Sequence, residues 1–168
     1  MANIIVISGK QYSGKDTLAK ILLQKLTGYR RIGIGDAIKL EYGKHKNLTF
    51  DEIEKNKHLY RADLIELGNW GRAKDPDFWL KNLAGFDKII VPDVRVIHEA
   101  DFFKEAGAFI IRVESDYKNR SLRGNIVNND DATETALDNY SGFDLVIENN
   151  STYEDLVKEA DKVIALLR

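Results

Sequence analysis

Near the start of the chain, a glycine-rich stretch carries residues whose types and spacing suit phosphate binding. It reads GKQYSGKDT, from Gly9 to Thr17, and directly follows the apolar run of residues 4–7. It nearly matches G-x-x-x-x-G-K-[ST], in which backbone N–H groups surround a polyphosphate and the lysine reaches its terminal phosphates. Gly9, Gly14 and Lys15 occupy the required positions. Because a strand pattern precedes the stretch and a helix pattern follows it, we predict a phosphate site rather than a simple connecting turn.

Asp16 departs from that pattern, because a magnesium-binding hydroxyl is expected at its position. A carboxylate is a hard oxygen ligand that suits Mg²⁺. Its charge beside a polyphosphate would have to be offset by Lys10, Lys15 and the metal. Thr17 offers a hydroxyl, but it points about 100° further around the helix. An acid in the first turn of a helix is also favoured by the helix dipole alone, so both explanations of Asp16 stay open.

A second candidate pair, Asp93 and Arg95, follows the apolar run of residues 89–91. Open α/β folds bind ligands where their parallel strands end, so this pair would lie beside the phosphate loop if the two strands are neighbours. Asp93 could hold magnesium or orient an attacking oxygen, and Arg95 could clamp a phosphate. The alternative is a turn with a solvated arginine, and we favour the functional interpretation because of the first motif.

Further cationic residues precede that pair along the chain. Lys39, Arg61 and Arg72 fall in segments that would meet over one edge of a sheet. A phosphorylated acceptor needs several cations that converge on its phosphate, and the arginine fork of donors suits this role. Each of these residues alone could equally be a surface residue, and only their recurrence supports an acceptor site.

The polar stretch of residues 115–139 has the least regular pattern, and we predict that it is a mobile lid. Its residues Arg120 and Arg123 could fold over a transferred phosphoryl group, where positive charge matters most and water must be excluded. A charged surface loop is the simpler alternative, and spacing alone does not decide between the two.

Composition indicates a single domain whose overall charge would not attract a long polyanion, although a local cluster could still bind a small anion. The chain has 168 residues, 43% of them hydrophobic, which is enough for one real core. The 25 lysines and arginines face 27 acids, so the net charge of −2 gives a nucleic acid polymer no electrostatic reason to bind. Without cysteine the chain has no thiol chemistry or disulfides. No apolar run approaches membrane-spanning length and no leader pattern is present, so we expect a cytoplasmic monomer or homodimer.

Short apolar runs alternate with helical patterns, which is typical of a parallel sheet with crossover helices. Predicted strands cover residues 4–6, 32–34, 89–91, 109–113 and 145–147, and a predicted helix covers residues 17–26. Capping-box spacing predicts helix starts at Thr49 and Ser151. Asp75 before Pro76 predicts a further N-cap.

Four stretches of the sequence together resemble the deoxynucleoside monophosphate kinases of phages and bacteria. They are ISGKQYSGKDT, GRAKDPDFWLKNL, IIVPDVRVIHEADFFKEAGAFIIRVE and DDATETALDNYSGFDLVIENNSTYEDL. They are also similar to the animal-type phosphomevalonate kinases, which share the G-K-D variant of the loop. The resemblance spans nearly the whole chain. It implies an α/β P-loop NTPase fold of the nucleoside monophosphate kinase type, with a five-stranded parallel sheet of order 2-3-1-4-5 flanked by helices.

The resemblance also implies an activity, in which the γ-phosphoryl group of ATP passes to a phosphorylated small molecule with Mg²⁺ as the metal. The implied ATP-binding residues are Gly9, Lys10, Ser13, Gly14, Lys15, Asp16, Thr17, Arg112, Asn149 and Asn150. The implied acceptor-binding residues are Lys39, Arg61, Arg72 and Arg95. The implied catalytic residues are Lys15, Asp93, Arg95, Arg120 and Arg123, with Asp16 and Asp93 at the metal.

The identity of the acceptor stays open at this point. A (deoxy)nucleoside monophosphate comes first and phosphomevalonate or another phosphorylated metabolite second. The chain is short between Leu40 and Tyr60 compared with the phage enzymes, and Val96 stands where the phosphomevalonate group tends to have a second arginine. A module that binds nucleotide without turnover is a third possibility, although it would have no use for Arg72 and Arg95.

Overall fold

A computed structural model describes residues 1–167, and the chain divides into two compact units. The first unit contains residues 1–31 and 87–167, and the second contains residues 32–86. The strands are β1 (Ile4–Ser8), β2 (Arg30–Arg31), β3 (Ile89–Val91), β4 (Phe109–Glu114) and β5 (Leu145–Glu148). The helices are α1 (Lys15–Lys25), α2 (Ile34–Lys46), α3 (Phe50–Lys55), α4 (Lys57–Lys74), α5 (Phe78–Ala84), α6 (Ile97–Glu105), α7 (Tyr117–Arg123), α8 (Ala132–Thr135) and α9 (Tyr153–Leu166).

The first unit is built on a five-stranded sheet in the order β2-β3-β1-β4-β5. All four strand pairings are parallel, so the predicted fold class and strand order are confirmed. Every residue of β1 and β3 is buried. Burial on both faces is the reason that their apolar residues do not alternate with polar ones.

The glycine-flanked strand predicted at residues 32–34 is wrong in position. The structure has β2 at Arg30–Arg31, and helix α2 already begins at Ile34. Gly33 is the N-cap of α2, and its N–H donates to Asp36 Oδ2 at 2.8 Å. The side chain of Asp36 therefore fixes a helix start where the apolar run alone suggested a strand.

Two helices hold the phosphate-loop stretch in place by packing on the sheet. Buried apolar side chains of α1 and α9 form one cluster with those of β1, β4 and β5. Its fully buried members include Leu18, Leu22, Ala160 and Val163. Burying a side chain of the size of leucine contributes about 1.5–3 kcal/mol, so β1 and α1 fix both ends of the glycine-rich loop between them.

The second unit consists of helices α2 to α5, which pack around Trp79. Trp79 is 2% exposed, and its indole N–H donates to the carbonyl of Gly68 at 3.1 Å. A Cβ at Gly71 would lie 2.7 Å from the indole nitrogen, so α4 and α5 can approach this closely only with glycine there.

Two predicted helix starts are shifted in the structure, whereas Thr49 caps α3 as predicted. Asp75 ends α4, and its Oδ1 accepts a hydrogen bond from the N–H of Asp77, the residue that precedes α5. The predicted cap at Ser151 lies one residue early, because Thr152 accepts from the N–H of Asp155 instead. The predicted lid, residues 115–139, contains α7 and α8, and its mobility stays a prediction. Among residues 1–167 no helix combines the length and apolar character needed to cross a bilayer.

Candidate active site

The loop between β1 and α1 requires glycine at both ends. Gly14 has a φ of 104°, and a Cβ there would lie 2.2 Å from Asn149 Nδ2. A Cβ at Gly9 would lie 2.4 Å from the hydroxyl of Ser13. Asn149 also donates from Nδ2 to the carbonyl of Ser13 at 2.8 Å, which supports the loop from β5. The loop therefore leads into the N-terminus of α1, where free backbone N–H groups attract phosphate oxygens.

Lys15 begins α1 and its side chain is only 15% exposed. Burial lowers the pKa of the Lys15 amine from its usual value, because water no longer stabilises the charge. The acids Asp16 and Glu134 oppose this shift, and the guanidinium groups of Arg95 and Arg112 add to it. The structure thus brings the predicted residues Lys15, Asp16, Arg95 and Arg112 within electrostatic range. A phosphate beside Lys15 would favour its charged form.

Asp16 lies at the mouth of this loop with its side chain 59% exposed. Its Oδ1 accepts from Arg31 Nη2 at 3.3 Å, and Lys15 Nζ lies 3.9 Å from its Oδ2. No group of three or more potential metal-ligating His, Cys, Asp or Glu side chains occurs within residues 1–167. Mg²⁺ in phosphotransfer sites is usually held by one or two carboxylates together with substrate phosphates, and an exposed Asp16 fits that need.

Most of the predicted ATP-binding residues line one of two cavities of the first unit, and Gly9 and Asn149 line neither. A cavity of about 510 Å³ is large enough for a ligand of nucleotide size. Its lining is Gln11, Tyr12, Gly14, Lys15, Asp16, Thr17 and Arg123. A smaller cavity of about 250 Å³ has a lining that includes Lys10, Ser13, Arg112, Arg120 and Asn150. The structure therefore separates these residues from the cavity that contains Lys15.

The two arginines of the predicted lid contact backbone carbonyls of the phosphate loop. Arg123 donates from Nη1 to the Tyr12 carbonyl at 2.9 Å and from Nη2 to the Asn149 carbonyl at 2.8 Å. Arg120 donates from Nη1 to the Gln11 carbonyl at 3.3 Å. Both guanidinium groups thus hold the loop in this structure. Their predicted contact with a transferred phosphoryl group stays a prediction.

Asp138, which the motif analysis missed, joins two of the predicted cations. Its Oδ2 accepts from Lys10 Nζ at 3.1 Å, and its Oδ1 accepts from Arg112 Nη2 at 3.2 Å. Arg112 is 4% exposed and also donates to Ser8 Oγ at 3.2 Å. A buried guanidinium needs such partners, because an uncompensated buried charge is costly. No spacing signal in the sequence pointed to Asp138.

A half-buried acid, Glu99, supports the segment that follows β3. Glu99 Oε2 accepts from the N–H groups of Arg95 at 2.9 Å and Val96 at 3.4 Å. Burial raises the pKa of Glu99, those hydrogen bonds lower it, and the nearby charge of Asp93 raises it. Glu99 was missed, although a glutamate three residues after a helix cap is a known signal. It fixes the backbone from which the Arg95 side chain extends.

The second unit contains a cationic pocket of about 580 Å³. Its polar lining consists of Lys39, Lys57, His58, Arg61, Asn69 and Arg72, and Ile38, Leu64 and Ile65 supply apolar surface. Three of the four predicted acceptor-binding residues thus meet in one pocket. The fourth, Arg95, belongs to the first unit.

The charges of this pocket are only partly balanced by the protein. Glu54 forms ion pairs with Lys39 and with Lys57, the latter at 2.9 Å. Within residues 1–167, neither Arg61 nor Arg72 forms an ion pair with a carboxylate, and both are exposed to solvent. The pocket therefore has positive charge available for an anionic ligand.

Comparison with known proteins gives two family matches and one relative along most of the chain. The sequence model of the phosphomevalonate kinase family matches residues 7–109. The model of the deoxynucleotide monophosphate kinase family matches residues 61–160. A phosphomevalonate kinase of Drosophila melanogaster is 29% identical over 184 aligned positions, covering 98% of this chain and 95% of the fly protein.

Solved structures of small-molecule kinases share the fold. Shikimate kinase of Acinetobacter baumannii aligns with a TM-score of 0.59 at 14% identity, covering 99% of this chain and 93% of that one. A gluconokinase of Sinorhizobium meliloti aligns with a TM-score of 0.58 at 16% identity, with coverage of 99% and 93%. At such low identity the likeness concerns the fold alone.

Proposed function

The chain belongs to the phosphomevalonate kinase and deoxynucleotide monophosphate kinase families, and we propose that it transfers the γ-phosphoryl group of ATP to a phosphorylated aliphatic carboxylate. A kinase with a phosphorylated small-molecule acceptor is common to both families. Phosphomevalonate is the acceptor we favour. The observation that carries this choice is the pocket of the second unit, whose two arginines form no ion pair with a carboxylate of residues 1–167.

The lining of that pocket suits an acceptor with two anionic ends and an apolar middle. Arg61 and Arg72 offer donor forks for a phosphate or carboxylate, and three aliphatic side chains supply apolar surface. Among residues 1–167, no Phe, Tyr or Trp belongs to its lining, so the described lining has none of the large rings on which a nucleobase usually stacks. These features favour a short aliphatic acid over a nucleotide.

A (deoxy)nucleoside monophosphate is the second candidate acceptor. The match of the deoxynucleotide monophosphate kinase model to residues 61–160 supports it, and this range includes Arg61 and Arg72. His58 and Asn69 in the pocket lining could contact a base through their ring and amide groups.

We propose that catalysis works by positioning and charge neutralisation. An oxygen of the acceptor phosphate forms a bond to the γ-phosphorus while the bond from that phosphorus to the β,γ-bridging oxygen breaks, and ADP leaves. Lys15 would neutralise charge on the β- and γ-phosphates, and Arg95 would stabilise the transferred group. Mg²⁺ held by Asp16 would add charge neutralisation when bound, with Asp93 as the second proposed metal residue. We expect this protein to act in the cytoplasm.

An acceptor screen tests the proposal directly. Purified protein with Mg-ATP is offered phosphomevalonate, mevalonate, a panel of ribo- and deoxyribonucleoside monophosphates, or no acceptor, and ADP release is measured by a coupled assay. We expect ADP with phosphomevalonate and none with mevalonate, which lacks the phosphate. ADP with one nucleotide only would contradict the favoured acceptor and establish the second. Absence of turnover with every acceptor would instead favour a nucleotide-binding module.

A further inference from the structure

We infer that Gln11 is a positioning residue that ties the conformation of the phosphate loop to the segment of residues 115–139. Gln11 lies inside the loop, between Gly9 and Gly14, where the pattern G-x-x-x-x-G-K-[ST] accepts any residue. The kinetic consequence of this inference rests on the proposed function, whereas its structural consequence does not.

All four hydrogen-bonding groups of Gln11 bond to that one segment. Its backbone N–H donates to Glu134 Oε2 at 3.0 Å, and its carbonyl accepts from Arg120 Nη1 at 3.3 Å. Its side chain donates from Nε2 to the Val127 carbonyl at 2.6 Å and accepts at Oε1 from the Val127 N–H at 3.2 Å. A movement of the segment would break all four bonds together.

Two of the three partner residues of Gln11 are buried side chains, whereas Val127 is 53% exposed. Arg120 is 4% exposed and also donates to the Ser115 carbonyl at 3.1 Å and to Asn129 Oδ1 at 3.3 Å. Glu134 is 8% exposed. Because Arg120 is buried and bonds to three partners, rotating it toward solvent would break all of these bonds, so it links the position of the segment to that of the loop.

The residue after Gln11 explains why the loop needs this support. Tyr12 has a φ of 59°, a left-handed conformation that is uncommon for a residue other than glycine. Such a conformation persists only where the surroundings impose it. The Tyr12 carbonyl accepts from Arg123, and its ring lies so close to Gly124 that a Cβ there would be 2.1 Å from it. Gln11 and Tyr12 together are thus held by the segment.

Hydrogen exchange of individual amides, measured without ATP or acceptor, tests the inference. The variant is Gln11→Ala, and Gln24→Ala is the matched control, because Gln24 is exposed on α1. Two amides report. Val127 N–H bonds to Gln11 directly, and Asp131 N–H bonds to the Asn128 carbonyl at 2.9 Å without contacting Gln11. Loss of two side-chain hydrogen bonds should accelerate exchange by roughly tenfold at both amides in Gln11→Ala.

The possible results distinguish coupling between the loop and the segment from a contact confined to Val127. Acceleration at Val127 alone, or equal exchange in Gln11→Ala and Gln24→Ala, would overturn the inference. As a second pair, Glu134→Gln keeps an acceptor for the Gln11 N–H and Glu134→Ala does not, so Asp131 should exchange faster in Glu134→Ala. Equal rates in these two variants would also overturn it.

Steady-state kinetics of the same variant measure how the loss of these contacts affects the proposed reaction. We expect Gln11→Ala to raise the KM for ATP about tenfold with kcat changed less than twofold, because the loop must be ordered before nucleotide can bind. An unchanged KM would contradict the role in positioning. If the unaltered protein showed no kinase turnover, the proposed function would fail, and the exchange measurements would still decide the inference.

Discussion

The cations around the phosphate loop and those of the proposed acceptor pocket, which is the cationic pocket of the second unit, differ in how the protein satisfies them. Lys10 and Arg112 share the carboxylate of Asp138, and Arg123 donates to three backbone carbonyls. Neither Arg72 nor the second arginine of that pocket, which also lies on α4, has a carboxylate partner within residues 1–167.

This difference indicates two ways of preparing a cationic site. A loop whose cations are already bonded keeps its shape without ligand, so it binds phosphate at little conformational cost. Exposed arginines without a partner stay hydrated until an anion arrives, and the ligand itself then orders them. Substitutions near the loop should therefore affect both structure and binding, whereas substitutions in the pocket should affect acceptor kinetics alone.

The largest predicted effect belongs to Lys15, the loop cation closest to the proposed chemistry. Lys15→Ala should lower kcat/KM for ATP by about 10³-fold, because it removes charge stabilisation of the β- and γ-phosphates. Lys20→Ala, an exposed position on the same helix, should have no such effect. Steady-state kinetics of both variants give the result. A loss of less than tenfold in Lys15→Ala would break the assignment of the loop.

The second prediction tests the acceptor pocket. Arg72→Ala should lower kcat/KM for the acceptor by about 10²-fold, because a charged hydrogen bond to an anion is lost. The KM for ATP and the melting temperature should not change, since the exposed guanidinium has no ion pair to lose. Lys44→Ala, 76% exposed on α2, is the control. A raised KM for ATP in Arg72→Ala would erase the contrast between the two sites.

The third prediction concerns Asp16, the exposed acid of the loop. If Asp16 holds magnesium, Asp16→Asn should require about tenfold more Mg²⁺ for half-maximal activity, because the charged ligand is lost. Asp16→Ser restores the usual hydroxyl and should stay close to the unaltered protein. Magnesium titration of activity distinguishes the variants. Normal dependence in both would favour the helix-dipole explanation.

Sequence patterns predicted the framework of the first unit better than its contacts. The runs that include Ile5 and Ile90 lie in buried parallel strands, as their β-branched composition indicated. The strand near Ile34 was wrong because a side-chain cap, which depends on one aspartate, decided between strand and helix there. A strong hydrophobic periodicity predicts its element correctly even where a local cap favours another structure, and a weak periodicity does not.

Contacts between distant residues could not be predicted in the same way. The pairing of Lys10 with Asp138 joins residues 128 positions apart, and no spacing rule relates them. The bonds of Gln11 to Val127 depend on how the segment of residues 115–139 folds back. By contrast, Arg61 and Arg72 are separated by 11 positions within one helix, so helical geometry alone places them about three turns apart on the same side.

The smallest predicted effect concerns Glu54, the acid that forms ion pairs with both lysines of the pocket. Hydrogen bonds from Lys39 and then Lys57 lower the pKa of Glu54 below its usual 4.5. A carboxyl whose folded pKa is depressed stabilises the fold above its unfolded pKa, and this contribution disappears as the pH falls through the folded value. Glu54→Gln should therefore lower the melting temperature by only about 1 °C at pH 7, since exposed ion pairs are weak.

The difference in melting temperature between the unaltered protein and Glu54→Gln should shrink as the pH falls below about 4.5. Glu66→Gln is the matched control on α4, since Glu66 forms no ion pair within residues 1–167. Thermal unfolding over a pH series measures both variants. A constant difference would mean that Glu54 does not neutralise its two lysines. Lys57 would then be as available to an anion as the arginines, and the charge balance of the pocket would depend on Asp36, whose Oδ1 lies 3.6 Å from Lys39 Nζ.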